Sequence, residues 1–163
     1  MNYMRILGVD PGIGRLGWGI IDKEKGNVTA VAFDCFETAK TTELPKRLEQ
    51  IYREMKRILA TYSPEIMAVE DLFFNKNVKT AFIVGQARGV VLLTAAEYNI
   101  SVAVYTPLVV KNTLVGYGRA EKRQVGKMVQ ATLHLTKIPS PDDTSDALAI
   151  AITHAYSHNL SSL

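Results

Sequence analysis

The sequence predicts a mixed α/β domain in which a five-stranded sheet, with three antiparallel and two parallel strands, is flanked by helices. Three β-rich segments follow one another near the N-terminus with short turns between them, as in an antiparallel meander. The later segments alternate between helical periodicity and short apolar runs, which is typical of parallel strands joined by helices. The length of 163 residues suits one domain, spanning 1–163.

The first three strands are predicted over residues 5–9, 16–22 and 28–37. The first ends at an Asp-Pro-Gly turn, and a Lys-Gly-Asn turn precedes the third. Gly17 and Gly19 leave room in the second strand for another backbone to approach closely. These segments form the antiparallel part of the sheet.

Helices and parallel strands are expected after this meander. Apolar residues recur at helical spacing from Leu44 to Leu59, with Pro45 in the first turn. The apolar run 66–69 leads into Glu70 and predicts a buried parallel strand, and 101–105 predicts a fifth strand. Further helices are expected over 78–98, 108–114, 121–133 and 144–158.

Charge is unevenly distributed along the chain, which carries +3 overall. Residues 76–127 hold eight basic and two acidic residues, so this segment is +6 and the remainder is −3. A basic middle beside acidic clusters suggests a polyanionic partner, although a solvated basic face also explains the charge alone. One cysteine excludes a disulfide framework or a cysteine metal cluster. We expect a cytoplasmic protein without a membrane segment, since no signal pattern or long apolar run is evident.

Each acidic candidate has a structural explanation when it is considered alone. Asp10 before Pro-Gly could be a turn residue, and Asp142 or Asp143 could cap the last helix. Glu70 is harder to explain in this way, because it closes an apolar strand where burying a charge is costly.

The acids become more informative when they are considered together. Asp143 and Asp146 are spaced i, i+3 and share a helix face. The right-handed crossover rule places the fourth strand beside the first, so Asp10 and Glu70 end neighbouring parallel strands. An all-oxygen ligand set suits Mg²⁺ or Mn²⁺. Two such ions per active site would support phosphodiester cleavage, which predicts a nuclease.

Several segments resemble the bacterial RuvC-type Holliday-junction resolvases, and the resemblance runs from Leu7 to His154. It rests on GVDPG, AVED-LFF-NKN, GQARGV, VVKNTLVGYGRAEKRQV and DDTSDALAIAITH. It implies an RNase H-like fold and a homodimeric endonuclease that cuts opposed strands of four-way junction DNA using Mg²⁺ or Mn²⁺. A branch-migration motor complex is a further expected partner.

The resemblance also assigns roles to individual residues. It implies that the catalytic metal ligands are Asp10, Glu70, Asp143 and Asp146, while Asp142 remains an alternative to Asp143. Lys111 and Lys122 match basic positions near the scissile phosphate, where Lys122 would stabilise developing charge as a catalytic residue. The other expected DNA-binding residues are Phe73 as a base-contacting aromatic, and Asn75, Lys76, Lys79, Arg119 and Arg123 as phosphate contacts.

Some interpretations remain alternatives. Phe74 could stack on bases or pack in the core, and Gly85 and Gly89 could serve packing on the sheet or a two-fold dimer contact. His154 and His158 are expected to be exposed surface residues. A different RNase H-like nuclease, acting on RNA or plain duplexes, is the second hypothesis for function. A sugar-kinase or actin-like ATPase would need a much longer chain, and a non-catalytic junction-binding protein would not need four intact acids.

Overall fold

The computed structural model describes residues 3–71 and 78–157. Its elements are β1 (Met4–Pro11), β2 (Arg15–Glu24), β3 (Asn27–Glu37), α1 (Leu44–Tyr62), β4 (Ile66–Glu70), α2 (Val78–Glu97), β5 (Ser101–Tyr105), α3 (Pro107–Val115), α4 (Lys122–Thr132) and α5 (Asp142–Ser157). Every expected element is present, and the predicted fold class is confirmed. The last helix begins at Asp142, two residues earlier than expected.

The five strands form one sheet in the order β3-β2-β1-β4-β5. Pairing is antiparallel between β1, β2 and β3 and parallel between β1, β4 and β5, so the predicted position of the fourth strand is confirmed. Val9 pairs with Val69, and Asp10 and Glu70 each follow directly at the carboxyl ends. Because β1 continues to Pro11 and Asp10 pairs with Gly17, the turn explanation for Asp10 is wrong.

Helices cover both faces of the sheet. On one face, Leu7 and Val9 of β1 pack in a core that includes apolar residues of α1 and α2. On the other face, Ile6 packs in a core with residues of α3, α4 and α5. This alternation follows from the two-residue period of a strand. The buried positions of α1 (Ile51, Met55, Ile58 and Leu59) recur at helical spacing. The carboxyl ends of β1 and β4 are therefore held by two packed layers.

Three glycines allow α5 to lie directly against β1 and β2. A Cβ atom built at Gly17 would lie 2.0 Å from the carbonyl oxygen of Asp143, and one at Gly19 would lie 2.5 Å from Leu148 Cδ2. A Cβ at Gly8 would likewise meet the α5 backbone at 2.0 Å. The close approach expected at Gly17 and Gly19 is confirmed. It carries Asp143 to the position beside Asp10, since Gly17 is the partner of Asp10 in the sheet.

Helix α2 lies on the sheet with one side and leaves an apolar side exposed. Its buried residues include Ala87 and Val91, whereas Phe82 is 68% exposed and a Cβ atom added at Gly89 would have no neighbour within 4 Å. Packing on its own sheet therefore does not explain Gly89. Among the described residues, α2 is also long and apolar enough to cross a membrane, with 20 residues and a mean hydropathy of 1.3. This corrects the expectation that no apolar segment reaches the length of a membrane span. A helix packed on a sheet can have the same length and apolar composition.

Candidate active site

The structure brings four acids to one edge of the sheet. Asp10 lies near the end of β1, Glu70 ends β4, and Asp143 and Asp146 lie in the first turns of α5. We call these four residues the acidic site. Burial raises the pKa of Asp10 to about 7, and repulsion from the other three acids contributes in the same direction. Burial also raises the pKa of Glu70, with repulsion from Asp146 as the next cause. The four groups therefore interact electrostatically, as a shared site requires.

The side chains of the acidic site do not form a closed ligand cage. Within residues 3–71 and 78–157, no three acidic, histidine or cysteine side chains are grouped closely enough to hold a metal ion. Two of the acids instead face cations: Asp146 Oδ2 accepts a hydrogen bond from Lys122 Nζ at 2.9 Å, and Asp143 Oδ2 lies 3.7 Å from Arg15 Nη1. Pairing with these cations offsets part of the repulsion among the carboxylates. The donor chemistry still fits Mg²⁺ or Mn²⁺, because all four groups offer hard oxygen ligands.

A cleft of about 240 Å³ opens beside Glu70 and Asp146. Lys111 and Lys122 line it, and both favour the charged form of Glu70 by lowering its pKa. The apolar part of the lining comes from Pro107, Val110, Val125, Ala149 and Ile150. The two lysines that sequence reasoning placed near a scissile phosphate therefore lie where a phosphate could meet the acidic site.

Lys122 owes its position to the start of α4. Glu121 and Gln124 form a capping box, in which the Glu121 backbone N–H donates to Gln124 Oε1 at 2.8 Å. Its hydrogen bond to Asp146 is the main reason that the pKa of Lys122 is raised, so it stays charged at neutral pH. Val125 and Val129 face the core, whereas Lys122 and the neighbouring Arg123 are exposed.

The two adjacent acids at the start of α5 have different surroundings. Asp143 is half-buried, and its backbone lies against Gly17. Asp142 is exposed and lines a neighbouring depression with Lys122 and Arg123. Asp143 acts on the pKa of Asp10, whereas Asp142 acts on that of Lys122. These surroundings favour Asp143 as the member of the acidic site.

The structure describes only some of the other residues that are expected to contact DNA. Lys79, Arg119 and Arg123 are exposed, and Arg119 follows Gly116, whose φ of 78° ends α3. Several expected residues lie outside the described ranges, so the structure does not test them: Phe73, Phe74, Asn75, Lys76 and His158.

His154 differs from expectation. It is buried rather than exposed, and its Nδ1 lies 2.8 Å from the hydroxyl of Tyr105. This pair joins α5 to the edge strand β5, so the prediction of a surface histidine at position 154 is wrong. Position 154 faces inward because α5 buries nearly its whole circumference between the sheet and the helices α3 and α4.

Two arginines around the turn between β1 and β2 were not identified from the sequence. Arg15 begins β2 and contacts Asp143. Arg47 of α1 donates from Nη2 to the carbonyl oxygen of Ile13 at 3.2 Å, and the Thr38 backbone N–H donates to Gly14 O at 3.1 Å. These bonds hold the turn that leads from Asp10 to Arg15. The sequence signal was weak, because an arginine beside a turn usually indicates a solvated surface.

Comparison with known proteins identifies the family and agrees with this fold. Residues 6–154 match the family described as crossover junction endodeoxyribonuclease RuvC. The RuvC protein of Alkaliphilus oremlandii is 50% identical over 160 residues, covering 98% of each chain. That of Syntrophomonas wolfei is 51% identical over 159 residues, covering 98% of this chain and 92% of the relative.

Solved structures show the same similarity in three dimensions. Thermus thermophilus RuvC is 35% identical with a TM-score of 0.88 and covers 97% of both chains. The same protein in complex with a Holliday junction substrate gives a TM-score of 0.92 at 35% identity, covering 97% of this chain and 96% of that one. The yeast mitochondrial resolvase Ydc2, at 11% identity and a TM-score of 0.72, shares the fold. The chain belongs to the RuvC family of crossover junction endodeoxyribonucleases.

Proposed function

We propose that this chain resolves four-way DNA junctions by hydrolysing one phosphodiester bond in each of two opposed strands, with the acidic site holding Mg²⁺ or Mn²⁺. The observation that carries the proposal is the meeting of four interacting carboxylates with two lysines at the carboxyl ends of β1 and β4. The structure of the 35% identical Thermus thermophilus protein with a Holliday junction supports the choice of substrate.

Different residues of this chain have different roles in the proposed reaction. When bound, two divalent ions would activate a water and stabilise the leaving oxygen. Asp10, on β1 between β2 and β4, anchors the ligand set within the sheet. Lys122 stabilises negative charge that develops on the phosphate, because its ammonium lies at the rim of the acidic site. Lys111 contributes a second positive charge from α3.

Junction binding is proposed to use phosphate contacts around this centre. Lys79, Arg119 and Arg123 are exposed and can reach phosphates, which position DNA without reading its sequence. Phe73 is proposed to stack on a base, with Asn75 and Lys76 holding the nearby backbone. Junction cleavage is proposed to take place in the cytoplasm, where a branch-migration motor complex would supply the junction.

A homodimer is proposed to present two acidic sites to the two opposed strands. The exposed side of α2 carries apolar or small residues at helical spacing, namely Val78, Phe82, Gly89 and Leu93, and the half-buried Gly85 lies in the same row. Exposed apolar stripes of this kind are typical of protein interfaces, and glycines permit close approach. A two-fold dimer through α2 also matches the two-fold symmetry of a junction.

Cleavage assays on matched substrates test the function. The chain is incubated with Mg²⁺ and one of three substrates: a mobile four-way junction, a linear duplex of the same sequence, or an RNA–DNA hybrid of that sequence. We expect paired, symmetric nicks in the junction and no cutting of the duplex. Equal cutting of the junction and the duplex, or preferential cutting of the RNA–DNA hybrid, would instead support a general RNase H-like nuclease.

A further inference from the structure

Arg15 links a sheet strand to the acidic site. It is the first residue of β2 and is paired across the strands with Glu37 of β3. Its Nε donates to Glu37 Oε1 at 3.1 Å, and its Nη1 lies 3.7 Å from Asp143 Oδ2. One guanidinium therefore spans an anchoring carboxylate on the sheet and a carboxylate of the acidic site on α5.

Asp143 needs such a partner because only its backbone is fixed by packing. Gly17 holds the peptide of Asp143 against β2, but the side chain is 29% exposed and is repelled by the other acids. The distance of 3.7 Å exceeds that of a hydrogen bond, so Arg15 attracts Oδ2 without consuming a lone pair. Arg15 thus orients the Asp143 carboxylate, which can still bind another cation.

We propose that Arg15, anchored by Glu37, is a positioning residue that orients Asp143 for a divalent ion. The inference rests on the proposed metal site and adds a residue that acts on the ion through Asp143.

Loss of Arg15 has two opposite effects on the affinity of the site for a divalent cation. Removing a positive charge near the site would, by electrostatics alone, make a divalent cation bind more tightly. Losing the group that orients a ligand weakens metal binding, typically by about 10-fold or more. Arg15 is 54% exposed, so water and salt screen its charge more strongly at the greater distance of an ion bound to Asp143 than at its 3.7 Å contact with Asp143 itself. The orienting effect therefore dominates, and the sign of the change separates the two explanations.

The test measures Mn²⁺ binding to the full chain without DNA, by electron paramagnetic resonance of the unbound ion. We expect Arg15→Gln to raise the Kd for Mn²⁺ by about 10-fold. Arg15→Lys keeps the charge, but a single ammonium cannot span both carboxylates, so we expect about 3-fold or greater weakening. Arg53→Gln is the matched control, because Arg53 forms a 2.6 Å ion pair with Glu49 on the surface of α1. It should leave the Kd unchanged.

The possible outcomes separate the metal site from the role of Arg15. If the unmodified chain binds no Mn²⁺, the proposed metal site fails. If it binds Mn²⁺ and Arg15→Gln binds equally or more tightly, the positioning role of Arg15 is overturned while the metal site stands. An unchanged Kd in Arg15→Lys would show that charge alone matters, which also overturns the proposal. Equal melting temperatures without metal check that the variants are folded.

Discussion

Asp10 combines burial with three negatively charged neighbours, and this combination makes the protein sensitive to pH without metal. Its pKa rises from 3.8 to about 7 in the folded chain. Between these values the unfolded chain has already lost the proton that the folded chain retains. The contribution of Asp10 to folding stability therefore falls as pH rises from about 4 to 7 and levels off above the folded pKa.

Replacing Asp10 with asparagine should remove this dependence. In metal-free protein we expect the stability advantage of Asp10→Asn over the unmodified chain to grow by roughly 2–3 kcal/mol between pH 5 and 8, because one pKa unit corresponds to about 1.4 kcal/mol. Denaturant unfolding at several pH values measures it. Glu24→Gln, at an exposed position at the far end of β2, is the control and should give a constant difference. Parallel curves for Asp10→Asn and the unmodified chain would contradict the buried, repelled state of Asp10.

At the residue scale, residue type and spacing were enough to identify the acids, but the contacts that a side chain makes in the fold could not be predicted. Carboxylates after an apolar strand and at i, i+3 on a helix have few roles, so the acids could be identified from type and spacing. Arg15 could not, because its role depends on Glu37 and Asp143, which lie far away in sequence. His154 was misplaced for the same reason, since its burial depends on Tyr105 in another element.

At the scale of elements, the contact between β2 and α5 controls the geometry of the acidic site. Gly17 is the point of closest approach, because any Cβ atom there would overlap the Asp143 backbone at 2.0 Å. A side chain at this position must push the start of α5 away from β1. Asp143 and Asp146 would move away from Asp10 together, since one helix carries both.

Gly17→Ala should therefore damage catalysis more than folding. We expect the free energy of unfolding to fall by about 1–3 kcal/mol through overpacking, and junction cleavage to fall by about 100-fold through misplacement of the acids. Gly14→Ala is the matched control, because a Cβ there would meet Arg47 Nη2 at an ordinary 3.6 Å. Normal cleavage by a folded Gly17→Ala chain would show that the close contact does not set the site.

The sequence predicted the elements well because each has a clear period, as in α1, but periodicity says little about what covers each face. Met128 of α4 illustrates the limit: its apolar side chain suits a buried position, yet it is 39% exposed. The apolar side of α2 is a second case. Its residues suit a core, but several of them, including Phe82 and Leu93, are exposed in the single chain, which is why the proposed dimer uses this side.

At the scale of the whole molecule, the proposed dimer depends on α2. Phe82→Glu places a charge in the middle of the apolar side, so we expect the chain to sediment as a monomer at micromolar concentration. Nicking of junctions should then become unpaired, because two acidic sites no longer arrive together. Val31→Glu is the control, since Val31 is an exposed apolar residue on β3. A Phe82→Glu dimer would exclude this side of α2 as the interface.

The position of β4 beside β1 in the sheet order could be predicted, because right-handed crossovers leave few topologies. Convergence of the four acids could be anticipated from that order but not measured, since it depends on how closely α5 packs. The glycines of β1 and β2 permit that packing, and the sequence indicated only that room was available at Gly17 and Gly19.

The most direct test of the central claim is cleavage of a mobile four-way junction by single-acid variants in Mg²⁺. We predict that Asp146→Asn and Asp143→Asn abolish paired nicking while they still bind the junction in a gel-shift assay. Asp142→Asn, a change at the exposed neighbour of Asp143, should cleave at nearly the normal rate. Full cleavage by Asp146→Asn would contradict the account, because the acidic site would then not be the centre of the reaction.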